Sequence, residues 1–259
     1  MIDLHSHLLP GIDDGAPDLD ASVAMGRLAV DGGVDVIVAT PHVSGHYRND
    51  PTTFRGLVAQ LQAALQSAGV ALRVLPGAEL SHGMVLELEP EALRACVLGD
   101  GNYLLLEPPL VGPAPFIGRM VDDLLGKGFQ IVLAHPERIA AFQRGVGTVA
   151  KLVEQGCITS VTADSVSGRF GGAVKRFTHD LFAHGLVHNL ASDAHDADHR
   201  TPALRPQVEQ AVAELPELES WVGYLTLDVP QAILAGERPP GNPPVIAPRR
   251  GLFGRLRGR

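Results

Sequence analysis

The residues in this chain that could do chemistry recur at one kind of place, directly after short apolar runs. His5-Ser6-His7 follows the first run, with Asp13-Asp14 close behind, and Pro41-His42 follows the second. Glu79 stands in Gly-Ala-Glu-Leu, Glu107 ends Tyr-Leu-Leu-Leu-Glu, His135 opens His-Pro-Glu-Arg, and Asp193 and His195 lie in Ser-Asp-Ala-His. The candidates are thus five imidazoles (His5, His7, His42, His135, His195) and four carboxylates (Asp14, Glu79, Glu107, Asp193), with no thiolate among them. Such a set suits Mn, Fe or Zn in an open multinuclear site better than a closed structural zinc. A carboxylate such as Glu79 can bridge two ions. Ions about 3.5–4 Å apart lower the pKa of a bound water and clamp the oxygens of an in-line phosphoryl displacement. One histidine at a strand end is more often a hydrogen-bonded core residue than a ligand. The signal lies in nine metal-competent side chains falling on one rim.

That rim requires a particular architecture. Seven β-rich runs, at 2–5, 34–40, 72–80, 103–107, 130–135, 158–163 and 187–192, alternate with helical spacing at 20–29, 54–68, 117–127, 140–155, 173–184 and 206–215. Gly69, Gly128, Gly156 and Gly185 stand where helix C-terminal caps belong, and Thr52 or Thr53 could cap the second helix. Strand–helix units in succession imply a parallel sheet with right-handed crossovers. The expected fold class is α/β, a distorted (β/α)7 TIM-like barrel in a single domain, with ligands at the C-terminal ends of its strands. Alternation along a strand then places His5 with His7, and Asp193 with His195, on common faces. Asp13, just before Gly15, reads as a turn former. Asp3 reads as structural at the barrel mouth, and His46 as surface. The barrel is expected over 1–236. Residues 237–259 form a Pro-rich linker, extended or loose, and a tail, RRGLFGRLRGR, that carries five arginines.

Composition excludes several classes. The 259 residues are 45% hydrophobic, enough for one sizeable core, and no apolar run approaches a membrane span. The N-terminus turns acidic at once and lacks the basic region of a secretory signal. Two cysteines make no disulfide framework, which fits a reducing cytoplasm. The formal charge of −8 argues against nucleic acid as a partner. Three divalent cations would bring it to about −2. A cysteine phosphatase needs Cys and Arg six positions apart, yet Asn102 lies six after Cys96 and Ala163 six after Cys157.

The motifs D-x-H-S-H, ATPH, GAE, HPER and SDAH, in this order and at these spacings, resemble the polymerase and histidinol phosphatase (PHP) family. The stretch DLHSHLLPGIDDG is similar to the metal-dependent protein-tyrosine phosphatases of bacterial capsule and exopolysaccharide loci. The resemblance implies a (β/α)7 barrel with two or three ions, Mn²⁺ foremost and Fe or Zn as alternatives. His5, His7, Glu79 and Asp193 would hold one ion, Glu79, Glu107 and His135 a second, and Asp14, His42 and His195 a third. A metal-activated hydroxide would attack phosphorus. Arg138 and Arg200 match arginines expected to grip the phosphate. The implied substrate is the phosphorylated tyrosine-rich tail of a membrane-associated bacterial tyrosine kinase. The basic tail at 249–259 would then suit contact with a membrane or partner, in a cytoplasmic, membrane-proximal setting. Weighed beside this reading are a small-molecule phosphatase such as a histidinol phosphatase, a PHP nuclease, and a non-catalytic metal-binding module. Modules of the last kind usually lose ligands, and here every expected position is filled.

Overall fold

A computed structural model describes residues 1–246. Nine short parallel strands occupy the seven expected positions. They are β1 (Ile2–Ser6), β2 (Val36–Ala39), β3 (His42–Val43), β4 (Arg73–Pro76), β5 (Glu79–Ser81), β6 (Tyr103–Glu107), β7 (Gln130–Ala134), β8 (Ile158–Thr162) and β9 (Asn189–Ala191). The run expected at 34–40 is β2, with β3 a separate strand beyond Pro41, and the run expected at 72–80 is broken in two. Pro41 has no N–H to donate and so separates β2 from β3. Gly77 interrupts the run 72–80, where a Cβ would come within 2.8 Å of Val38 Cγ1 and 3.0 Å of Leu98 Cδ2. The breaks divide the ladder into β1-β2-β4 and β3-β5-β6-β7-β8-β9. A parallel bridge from Ser6 to Ala194 joins the first and last positions, with Asp193 N–H donating to His5 O at 3.0 Å and His7 N–H to Ala194 O at 2.8 Å. The result is the distorted seven-position barrel expected from the pattern.

Alternation along the strands divides two cores. Leu104, Leu106, Ile131, Leu133, Val43 and Leu80 pack outward in the larger cluster under the helices. Tyr103, Leu105, Val132, Ala134, Leu4 and Val38 fill a smaller cluster inside the ring. The same alternation turns His42, Glu79 and Glu107 inward, with His42 in register with Glu79, and Glu79 with Leu105, two residues before Glu107 on the same face.

The helices follow the expected pattern with several corrections, among them two short helices the pattern did not show, Pro90–Ala95 and Ala163–Ser167. Neither Thr52 nor Thr53 caps the helix Phe54–Ser67. Asp50 instead caps a preceding 3₁₀ turn, Pro51–Thr53. The helix expected over 140–155 is a 3₁₀ turn, Phe142–Arg144, and a shorter helix, Gly147–Glu154, separated at Gly145, whose φ of +149° ends the turn. Residues after 215, for which the pattern showed no element, form a 3₁₀ segment Pro216–Trp221, a π turn Tyr224–Asp228 and a helix Val229–Leu234. The four glycines expected as caps all take positive φ, as helix ends require. The Pro-rich stretch, as far as residue 246, has no regular element and is pinned. Glu237 O accepts from Tyr103 Oη at 2.9 Å, and Ile246 is buried with its N–H on Phe182 O. The arginine-rich stretch, with its expected membrane or partner contact, lies outside the described residues. No helix among the described residues is long and apolar enough to cross a membrane.

Val229 and Ile233 enter the inner cluster and plug the N-terminal end of the barrel, the end away from the metal-competent rim. Ile233→Ala should therefore lower the unfolding free energy by about 2–4 kcal/mol in denaturant titration while leaving metal content unchanged.

Candidate metal centre

His42 and Glu79 open the short strands β3 and β5, just past the ends of β2 and β4, and the other candidates stand near or after the C-terminal ends of β1, β6, β7 and β9. Eight of the nine are buried or nearly so, and only Asp14 has substantial exposure, at 46% of its side chain. Glu79 is the hub. Its Oε2 lies 3.3 Å from His5 Nε2, 3.4 Å from His7 Nε2 and 3.0 Å from His42 Nδ1, and its Oε1 lies 2.7 Å from His135 Nε2. Asp193 Oδ1 approaches His5 Nε2 at 3.4 Å and His7 Nε2 at 3.7 Å. Asp14 Oδ1 sits between His42 Nε2 at 3.4 Å and His195 Nε2 at 3.5 Å. Glu107 Oε1 lies 3.8 Å from His135 Nε2.

The donor atoms fall into four overlapping groups, each with its atoms within 4.8 Å of one another: His5, His7 and Asp193; His5, Glu79 and His135; His42, Glu79 and Glu107; and His7, Asp14, His42 and His195. Nitrogen and oxygen donors this close, converging without a thiolate, match the bond lengths and preferences of divalent Mn, Fe or Zn. The cysteines contribute nothing to it. Both are buried elsewhere, and burial pushes each thiol up to about 12. Neither is a thiolate nucleophile near neutral pH.

The ligands are held by residues behind them. Asp13 makes the expected turn, accepting from Gly15 N–H at 3.0 Å, but it does more. Its Oδ2 accepts from His7 Nδ1 at 2.8 Å and from the His42 backbone N–H at 2.9 Å. The proton on His7 Nδ1 leaves Nε2 as the nitrogen free for an ion. This orienting role was missed from sequence, although the doubled Asp13-Asp14 was its visible trace. Asp3 ties the two ends of the ring together, accepting from Ser192 N–H, Ser192 Oγ and His5 N–H. Glu137, in the HPER motif, was also missed. It is fully buried, accepts from Thr162 N–H and Ser165 Oγ, and so fixes the turn that presents His135 and Arg138. Burial raises its carboxyl to about 7.

Two of the candidate ligands sit in strained backbone. His135 has φ +28° and Asp193 φ +53°, left-handed values for non-glycine residues. Such conformations cost about 1–3 kcal/mol each and persist where the surroundings enforce them, typically at functional sites.

Arg138 and Arg200 converge on one carboxylate, both donating to Asp193 Oδ2. Burial works against the Asp193 charge, but His5, Arg200, His135 and Arg138 outweigh it and hold the carboxyl low. Arg200 Nε is buried with no partner, and the Arg138 guanidinium lies 4.8 Å above the Phe170 ring. Each fork therefore retains donors beyond its bond to Asp193.

The cluster's own charges bind protons. Burial opposes the His7 cation, but hydrogen bonds to Asp13 and Glu79 raise it to about 10. Burial, with the Glu79 charge beside it, raises Glu107 to about 8. Both groups are protonated at pH 7, whereas a ligand must be deprotonated. Adding a divalent cation to metal-stripped protein at pH 7 should thus release protons, and apparent affinity should rise as pH climbs from 7 toward 10. Calorimetry in two buffers of different ionisation enthalpy measures the release, and equal heats in both would refute it.

The described family "Capsular polysaccharide synthesis, CpsB/CapC" matches residues 1–234. Tyrosine-protein phosphatase YwqE of Bacillus subtilis is 34% identical over 98% of this chain and 99% of its own length. Tyrosine-protein phosphatase CpsB of Streptococcus pneumoniae is 28% identical over 79% of this chain and 87% of its own. A solved structure from work on YwqE and CpsB, described as unique metal-dependent tyrosine phosphatases, superposes with a TM-score of 0.81 at 32% identity, covering 97% of this chain and all (100%) of that one. A β-aspartyl dipeptidase of Fervidobacterium islandicum, 15% identical with a TM-score of 0.53 over 90% of this chain and 72% of its own, shares the fold alone. With a barrel rim of nine convergent donors and a match across nearly its whole described length, the chain belongs to the CpsB/CapC family.

Proposed function

We propose that this chain is a metal-dependent protein-tyrosine phosphatase, a phosphoric monoester hydrolase that uses Mn²⁺, with Fe or Zn as alternatives. The observation that carries the reading is Glu79, one buried carboxylate within 3.4 Å of four imidazoles. That arrangement suits a carboxylate shared between ions. The relatives named as tyrosine-protein phosphatases supply the substrate class.

In this reading His5, His7, Glu79 and Asp193 hold one ion, Glu79, Glu107 and His135 a second, and Asp14, His42 and His195 a third. When bound, such ions lower the pKa of a water and neutralise charge on the transferred phosphoryl group. The chain's own residues do the rest. Asp13 keeps the His7 proton on Nδ1 and holds the His42 backbone. Glu137 fixes the turn that carries Arg138. The spare donors of Arg138 and Arg200 grip phosphate oxygens in the fork geometry suited to guanidinium. In this reading the substrate is the phosphorylated tyrosine-rich tail of a membrane-associated bacterial tyrosine kinase and the setting is cytoplasmic and membrane-proximal, a reading supported by the capsule context of the family. We assign residues 1–236 to the catalytic barrel and 237–259 to an appended segment.

The deciding experiment compares a phosphotyrosine peptide with histidinol phosphate, using metal-stripped protein with and without Mn²⁺. Mn²⁺-dependent turnover with preference for the peptide is expected. Preference for histidinol phosphate would overturn the substrate and keep the site. Glu79→Ala or His135→Ala should lower turnover by more than about 100-fold with the circular dichroism spectrum retained, because the barrel cores lie below the rim. Near-wild-type rates in either variant would refute a shared-metal site.

A further inference from the structure

Tyr47 stands out among the large side chains near the rim. It belongs to neither hydrophobic cluster and remains half-buried. Its ring contacts are two imidazoles. It lies parallel to His42, with centroids 5.5 Å apart and an interplanar angle of 6°, and His46 meets it edge-on at 4.6 Å. The ring is only half-buried, so its hydroxyl is not forced to find a protein partner. Among the described residues, none bonds the Tyr47 hydroxyl.

The loop that presents this ring is closed at its base. Ser44 N–H donates to Tyr47 O at 2.9 Å, and Tyr47 N–H to Ser44 Oγ at 3.0 Å. Asn49 Nδ2 donates to both His42 O and Ile12 O at 2.9 Å, tying the far end of the loop to the ligand His42 and to the segment that carries Asp14. Arg48 reaches Glu87 on the loop after β5. A ring that neither fills the core nor uses its hydroxyl, and that is held over a ligand at the site mouth, has its aromatic surface left to offer. Offset stacking between aromatic rings favours an aromatic guest over an aliphatic one of equal charge.

We propose that Tyr47 is a specificity-determining residue whose ring packs against the aryl group of the phosphate ester, selecting aryl over alkyl phosphates. This rests on the phosphatase reading above and names the feature that sets its substrate class. The hydroxyl plays no part, so the effect belongs to the ring.

The test is calorimetric binding of phenylphosphonate and methylphosphonate to Mn²⁺-loaded protein, with neither ligand being hydrolysed. The wild type should prefer the phenyl ligand, Tyr47→Phe should keep that preference, and Tyr47→Ala should reduce it by about three- to tenfold with methylphosphonate affinity unchanged. A Tyr47→Ala variant with the wild-type preference would overturn the proposal. Equal weakening of both ligands would also overturn it, because Tyr47 would then act only by positioning His42. If neither phosphonate binds the wild type while the phosphotyrosine peptide is turned over, the proposal fails and the phosphatase reading stands. If the peptide is not turned over either, both fail.

Discussion

The carboxylate of Glu79 is the charge around which the rest of this structure is arranged. A buried anion is costly unless paired, and here burial is outweighed by His5 and by hydrogen bonds from His135, His42 and His5, which hold the carboxyl well below its ordinary range. Those imidazoles come from β1, from β3 and from the turn after β7, positions far apart in sequence. Only a closed ring of parallel strands brings them to one point. The break at Gly77, where a side chain would strike Val38 and Leu98, sets the short strand that carries Glu79 in register beside His42.

The two ends of the barrel meet opposite requirements. The rim concentrates buried charge, left-handed ligands at His135 and Asp193, and two guanidinium groups on one carboxylate. The left-handed backbone costs about 1–3 kcal/mol at each residue. The other end is apolar, plugged by Val229 and Ile233 against Leu4, Val38 and Leu105. The candidate site is thereby carried on an apolar base, an arrangement that fixes the positions of its side chains.

Orientation of the ligands is delegated to residues with no place in the donor set. Asp13 decides which nitrogen of His7 faces the centre, and Glu137 ties the HPER turn to the next strand. Such partners fix tautomer and ring plane, and metal sites depend on them nearly as much as on the ligands themselves.

The chain's sequence by itself determined the strand–helix alternation and which side chain stands at each strand end. Both follow from local periodicity, because an apolar run ending in His or Glu looks the same whatever surrounds it. It also excluded cysteine chemistry through spacing alone. What tertiary structure decided lies in contacts between distant residues. Asp13 reads locally as a turn, and its bonds to His7 and His42 arise only when the first two strands are side by side. β3 stands apart from β2 because Pro41 lacks a donor, and the strand expected at 72–80 breaks where the barrel wall crowds Gly77. The plug after residue 215 has weak periodicity, since a 3₁₀ segment, a π turn and a short helix follow one another there, and its burial depends on the cavity it fills. Arg200 lies only seven residues from Asp193, but Arg138 reaches it because β8 alone separates β7 from β9 in the sheet, a proximity no local pattern encodes.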